Sequence, residues 1–291
     1  MSQNNTALRD INKPHYNYWQ ALVLSFFSSR LYVDVGKRWF GLGIVYLFIA
    51  ILVFGTPFAL RTTNDFNIFF DQQLLTPLKK MPPITIQNGL VSFDKPMPYE
   101  IKNQSGQVVS VIDTSGTVTG RSEKYPYLTT LISKNQLSFW PPSPQFFFMN
   151  QAQPQSDTPI VQIFPPQMNE IFDGSKWIAS SGIETVKYLS LIIIYPTVIL
   201  IFFVMFLTFF LVFGMIGQLV SRLFYKLDLS YSQSCRLLAV GATPSIAILL
   251  LMLAANLPIP GLGVVIILVL SFYFSFAVIS LRNESKKLVL S

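Results

Sequence analysis

The sequence predicts an α-helical polytopic membrane protein with four transmembrane helices and an inserted extracytoplasmic α+β domain containing an antiparallel β-meander. Three observations carry this prediction. The 291 residues are 51% hydrophobic and only 12% charged, about half the charge of an ordinary soluble domain. Long stretches without Asp, Glu, Lys, Arg or His run from Gly41 to Leu60, Leu189 to Val220 and Leu237 to Leu281. Between the first two lies a segment of quite different, strand-like composition.

A helix needs about 20 apolar residues to cross a hydrocarbon core of roughly 30 Å. The first stretch is therefore one span (41–60), and the second, overlong and containing Pro196, is another (188–220) that tilts or kinks. The third is broken at "NLPIPGLG" and divides into spans at 237–257 and 264–281.

The segments before residue 41, at 221–236 and after 281 together carry the whole net charge of +7, whereas residues 61–187 hold ten basic and ten acidic side chains. The positive-inside rule then puts both termini and the 221–236 loop in the cytoplasm, and 61–187 outside. The basic balance is a topology signal, with some attraction to membrane lipids, and implies no nucleic-acid partner. No cleavable leader is expected, because the first apolar run starts after about 40 residues and is long enough to anchor. The single cysteine, Cys235, is expected on the cytoplasmic side, within reach of a membrane-permeant thiol reagent.

Residues 1–15 are polar and are expected to be disordered. From Tyr16, the residues Trp19, Leu22, Val23, Phe26 and Phe27 recur at helical spacing beside Ser25, Ser28 and Ser29. This predicts an amphipathic helix in the cytoplasmic arm (1–40), lying in the interface or packed on the spans. After the first span, "TTNDFNIFFDQQLLTPLKK" places Phe66, Phe69, Phe70, Leu74 and Leu78 on one face of a helix that ends at Pro82-Pro83.

"ITIQNGLVSF" then gives two short runs around Asn88-Gly89, a strong hairpin signal. Further strands are expected near Tyr99–Lys102 and Gln107–Ile112, with another short one after the turn at Asp113–Gly116, which completes the meander. The proline-rich stretch 141–167 is expected to wrap it. Residues 169–188 lead into the second span.

"VSVIDTSGTV" carries the one enzymatic candidate. Asp-Thr-Ser-Gly at the end of an apolar strand resembles the catalytic strand of an aspartic protease, in which two carboxylates share a proton. Asp157-Thr158 is followed by Pro159, so only a symmetric homodimer could supply the second carboxylate. Asp, Ser and Gly also close ordinary β-turns, and Asp113, Thr114 and Gly116 are read here as a structural turn or partner site. On that reading Asp113→Asn is nearly neutral and alanine worse by about 1 kcal/mol.

The only histidine, His15, lies in the expected arm, which excludes an external Ser-His-Asp triad or His-based zinc cluster within one chain. No catalytic, cofactor-binding or metal-binding residue is assigned. Pro244 in "LLAVGATPSIAILL" is expected to kink the third span, with Gly241, Ala242 and Ser245 allowing close helix approach. The outer aromatics Trp140, Phe146–Phe148 and Trp177 fit a core or membrane-facing role better than a ligand groove.

"SRLYVDVGKRWFGLGIVYL", "MPPITIQNGL...VIDTSG" and "CRLLAVGATPSIAILL" together resemble the bacterial membrane family catalogued as domain of unknown function 1189, over about Leu22 to Leu281. The resemblance implies a bacterial inner-membrane protein with an outer β-rich region, and no established activity. The expected function is a non-enzymatic scaffold or accessory subunit whose periplasmic domain binds an envelope protein, lipid or glycan. A homo-oligomer is compatible with this. A channel or transporter component, or a membrane-anchored homodimeric aspartic protease using Asp113, are the alternatives.

Overall fold

The computed structural model describes residues 13–140, 158–257 and 259–290. It divides into two compact units, residues 1–62 with 194–291, and residues 63–193. Residues 1–12 of the arm expected to be disordered (1–15) and residues 141–157 of the stretch expected to wrap the meander (141–167) lie outside the described residues; the described end of that stretch forms a strand, Ile160–Ile163, within a sheet.

The first unit is helical. α1 (Tyr18–Leu24) and α2 (Ser29–Arg38) replace the single amphipathic helix expected from Tyr16 onward. Serines cause the break: the Ser25 hydroxyl bonds back to the Leu22 carbonyl, and Ser28 caps α2 by accepting from the Leu31 N–H. α3 (Ile44–Phe70) follows, and a π-helical turn (Asp71–Leu75) and α4 (Thr76–Lys80) continue it into one 37-residue helix. The helix expected outside the first span is thus an extension of that span: no proline or glycine stands between Pro57, which α3 accommodates, and Pro77, where the π-helical turn has passed into α4.

In the second unit, α4 leads to β1 (Ile84–Gln87) and β2 (Leu90–Ser92), joined through Asn88 and Gly89, both at positive φ. That is the tight turn the Asn-Gly pair favours. β3 (Tyr99–Lys102) and β4 (Val108–Ile112) pair antiparallel at the expected positions, with a bulge at Ile101/Lys102.

The pure meander is not what forms. β4 pairs parallel with β5 (Thr130–Ile132), then β6 (Gln136–Phe139) and β7 (Ile160–Ile163) follow antiparallel, while β8 (Glu170–Phe172) returns to pair with β1. The strand expected after Gly116 is absent, because Val118 serves a different purpose. With Tyr125 and Leu128 it packs against Val111, Leu131 and Trp140. The connection from β4 to β5 therefore covers one face of the sheet, as a parallel crossover must. Ile112 and Ile132 point to the other face and join Ile84, Ile86, Val91 and Ile101 in a second core. One-residue alternation along β4 and β5 builds both cores.

α5 (Gly174–Ser181), capped by the Asp173 carboxylate, precedes α6 (Ile183–Tyr225). At 43 residues α6 is one unbroken helix despite Pro196, about 64 Å long at 1.5 Å per residue. Its first turns belong to the second unit, where Lys187 pairs with Asp71 at 2.8 Å and Glu184 lies 3.8 Å from Lys79. α7 (Tyr231–Gly241), α8 (Thr243–Ala255) and α9 (Leu262–Leu290) complete the first unit.

Three helices are long and apolar enough to cross a membrane, or four if the bent α7–α8 pair is one span. Close packing joins α6 to α7: a β-carbon on Gly214 would collide with the Cys235 Sγ, and one on Gly217 with the Ser234 Oγ. Cys235 is consequently buried, which removes the basis for expecting it to react with a thiol reagent.

Candidate functional site

Asp113 directly follows β4, which lies between β3 and β5 in the five-stranded sheet, and is fully buried. Its Oδ1 accepts from the Ser115 N–H at 2.9 Å and from the Ser115 hydroxyl, and its Oδ2 from the Thr117 hydroxyl at 2.9 Å and the Val118 N–H at 2.6 Å. Its own N–H donates to the Ile132 carbonyl. Burial pushes its pKa up, but the Ser115 hydroxyl, the Val118 N–H, the Thr117 hydroxyl and the Ser115 N–H outweigh it and hold the carboxyl down at about 2. Gly116 lies at φ +81° with open space around its α-carbon, and Thr114 is half-buried.

The arrangement is that of a carboxylate closing a loop, with both oxygens saturated and the charge held through the neutral range. It is poorly suited to accept or share a proton. The geometry also alters the expected tolerance of asparagine. An amide nitrogen at the Oδ2 position would confront the Val118 N–H, donor against donor, so Asp113→Asn loses more than a charge.

Pro244 marks the α7–α8 break, with a bend of 42°. Lacking an N–H, it cannot serve the Val240 carbonyl one turn earlier. Thr243 does so instead, donating from its hydroxyl to that carbonyl at 2.8 Å. Since a hydroxyl has one proton, the 2.6 Å contact between Thr243 Oγ1 and Tyr46 Oη is then a bond donated by Tyr46. Ser245 reaches the Ile266 carbonyl at 3.3 Å. Residues 234–247 are buried throughout, so this broken backbone is sealed in packed protein.

A further polar centre had no sequence signal. Asp34 of α2, 1% exposed, accepts the backbone N–H groups of His15 and Tyr16, the Trp39 indole at 3.3 Å and the Arg38 guanidinium at 3.1 Å. His15 is therefore tied to α2, contrary to the free arm expected. Two residues on, the Gly36 carbonyl accepts from Arg236 Nη2 at 2.6 Å and Gln233 Nε2 at 3.1 Å, and Leu281 fills the space a β-carbon on Gly36 would need. α2 thus joins the N-terminal segment, α7 and α9. The motif "YVDVGKRW" showed only charges and a glycine; the partners lie too far away in sequence to infer.

Of the outer aromatics, Trp140 is buried with the Arg121 guanidinium 5.8 Å from its ring centre, and Trp177 is partly exposed beside Phe172. Phe146–Phe148 lie outside the described residues, as does Asp157. Among the described residues, no group of three or more His, Cys, Asp or Glu side chains is placed to hold a metal ion.

The model of one protein family, described as "Protein of unknown function (DUF1189)", matches residues 19–278. No curated protein and no solved structure matches the chain.

Proposed function

The chain belongs to the DUF1189 family of proteins of unknown function, and on that premise we propose that it is a non-enzymatic scaffold or accessory subunit of the bacterial inner membrane. Both termini lie in the cytoplasm, and residues 61–187 form a periplasmic domain that binds another envelope protein.

The observation that carries this reading is the outer edge of the five-stranded sheet. Among the described residues β7 pairs only with β6. It nevertheless exposes Ile160 at 62%, Val161 at 47% and Ile163 at 66%. An uncharged apolar edge strand is what proteins ordinarily blunt with lysine or proline, since it templates pairing with another chain. Ile171 of β8 adds exposed apolar surface in the same unit.

The Pro244 break bears on the channel alternative. Transporters use broken helices to line cavities, whereas here the freed carbonyl is satisfied by Thr243 and its surroundings are buried. This favours helix packing over a conduction path. The saturated Asp113 carboxylate likewise weighs against the protease alternative.

Extraction in mild detergent followed by mass spectrometry tests the proposal: a stoichiometric envelope protein is expected to copurify, and a chain that remains alone even after crosslinking in cells contradicts it. Cysteines at Ser115 and Lys226, each in a Cys235→Ser background, test the sidedness. An impermeant reagent is expected to label only the first in intact cells.

A further inference from the structure

A groove of about 580 Å³ opens where the N-terminal segment meets the end of α2. Its lining combines the polar side chains of His15, Asn17 and Gln20 with the rings of Tyr16, Tyr18, Trp39 and Phe40. We propose that this groove binds the phosphate headgroup of an acidic phospholipid, with Phe40 against the first carbons of the acyl chains.

Position is the first argument. The apolar run of α3 begins at Ile44, four residues beyond Phe40, so a spanning α3 places the groove at headgroup depth. Phe40 is 82% exposed, and Trp19 and Phe27 are also open. Aromatic side chains of this kind concentrate at that depth.

Charge is the second argument. Lys13 precedes the lining residue Pro14 in the chain, and Lys37 and Arg38 precede Trp39, so three cations stand at the groove's rim in sequence though not in its lining; both lysines are exposed and Arg38 keeps 41% of its side-chain surface. Among the described residues of these elements the one carboxylate, Asp34, is turned inward and held by Arg38, Trp39 and the backbone of His15 and Tyr16. It fixes the lining residues His15, Tyr16 and Trp39 in place without itself lining the groove. The N-terminus of α1 is already capped by Asn17 and Gln20, so recognition falls to the side chains.

Rigidity is the third. The Asp34 bonds pin residues 15 and 16, Trp39 is buried, and the Trp39 and Tyr46 rings pack edge to face at 5.6 Å. A headgroup would enter a preformed site and spend little of its binding energy on ordering the protein.

The inference rests on α3 being a membrane span; a chain that fails to enter nanodiscs would defeat that reading before the site is tested. The experiment uses the full chain in nanodiscs and native mass spectrometry of lipids retained on release. Phosphatidylglycerol is expected to be retained over phosphatidylcholine, and Lys13→Gln and Lys37→Gln to lower its retention about five-fold each, the scale of one basic group at an anionic surface. Phe40→Ser is expected to lower retention of both lipids. Lys226→Gln, an equal charge loss on the α6–α7 connection, is expected to leave retention unchanged, and thermal midpoints matching wild type show that the variants fold. Equal retention of the two lipids, or an equal loss with Lys226→Gln, would overturn the site. Inorganic phosphate that binds the detergent-purified chain and displaces phosphatidylglycerol would overturn the lipid source.

Discussion

Asp34 in the helical unit and Asp113 in the β-rich unit are both sealed from solvent, yet they gather their donors in different ways. Asp113 takes four neutral donors from within five residues of itself. Asp34 takes backbone groups 18 and 19 residues away together with an indole and a guanidinium. One closes a loop that its own sequence supplies; the other fastens separate segments.

The surfaces of the two units differ as well. The helical unit exposes Leu, Ile, Val and Phe along α6 and α9, whereas among the strands of the β-rich unit exposed aliphatic side chains cluster on β7, with single ones at Leu90 of β2 and Ile171 of β8. A surface that is apolar along whole helices suits a lipid solvent. A cluster of apolar side chains on one edge strand suits a protein partner.

The largest effect expected from this comparison is at Asp34. Asp34→Ala orphans an indole, two backbone N–H groups and a cation, at a cost of about 3 kcal/mol, the low end for breaking a buried pair because Arg38 is partly in water. Thermal unfolding in detergent measures the loss, and proteolysis near Pro14 should accelerate before global unfolding. A variant as stable as wild type, with an equally protected N-terminal segment, would remove the distinction between fastening and loop closure.

Asp113→Ala is expected to cost about 2 kcal/mol and Asp113→Asn about 1 kcal/mol, since asparagine keeps one acceptor and opposes the other donors. The carboxyl's pKa is lowered from 3.8 to about 2 in the folded chain. A depressed pKa contributes stability that is present above the unfolded value and is lost as pH falls toward the folded one. The stability gap between wild type and Asp113→Asn should therefore be constant above about pH 4 and shrink toward pH 2. A gap that does not change across this window would mean that the carboxylate's charge contributes nothing to the loop.

The smallest effect is at the helix break. Thr243→Val and Tyr46→Phe should each cost about 1 kcal/mol. The pair should be less than additive, because Tyr46 acts on the Val240 carbonyl only through Thr243. Strict additivity would show that the two hydroxyls act independently.

How much of this was legible in the sequence follows the same division. The Asn88-Gly89 hairpin, β3, β4 and the Asp113 turn depend on neighbours within a few residues, and their signals are local. The Pro244 kink is equally local. The parallel pairing of β4 with β5 was not legible, because it depends on Val118 and Leu128 packing across the sheet rather than extending it. Nor was the joining of β8 to β1, some 85 residues apart in sequence. At the candidate sites, Asp113 drew attention through its motif, while Asp34 looked like one charge among several until its partners were placed around it.

The central claim is that the β-rich unit engages a protein through its open edge, and the most direct measurement is copurification from membranes expressing wild type or an Ile160→Lys/Ile163→Lys variant. Charges on an edge strand oppose pairing with another chain without entering the core. The account predicts a stoichiometric companion with wild type, its loss with the variant, and equal amounts of both chains in the membrane. A companion retained by the variant at wild-type stoichiometry would contradict it.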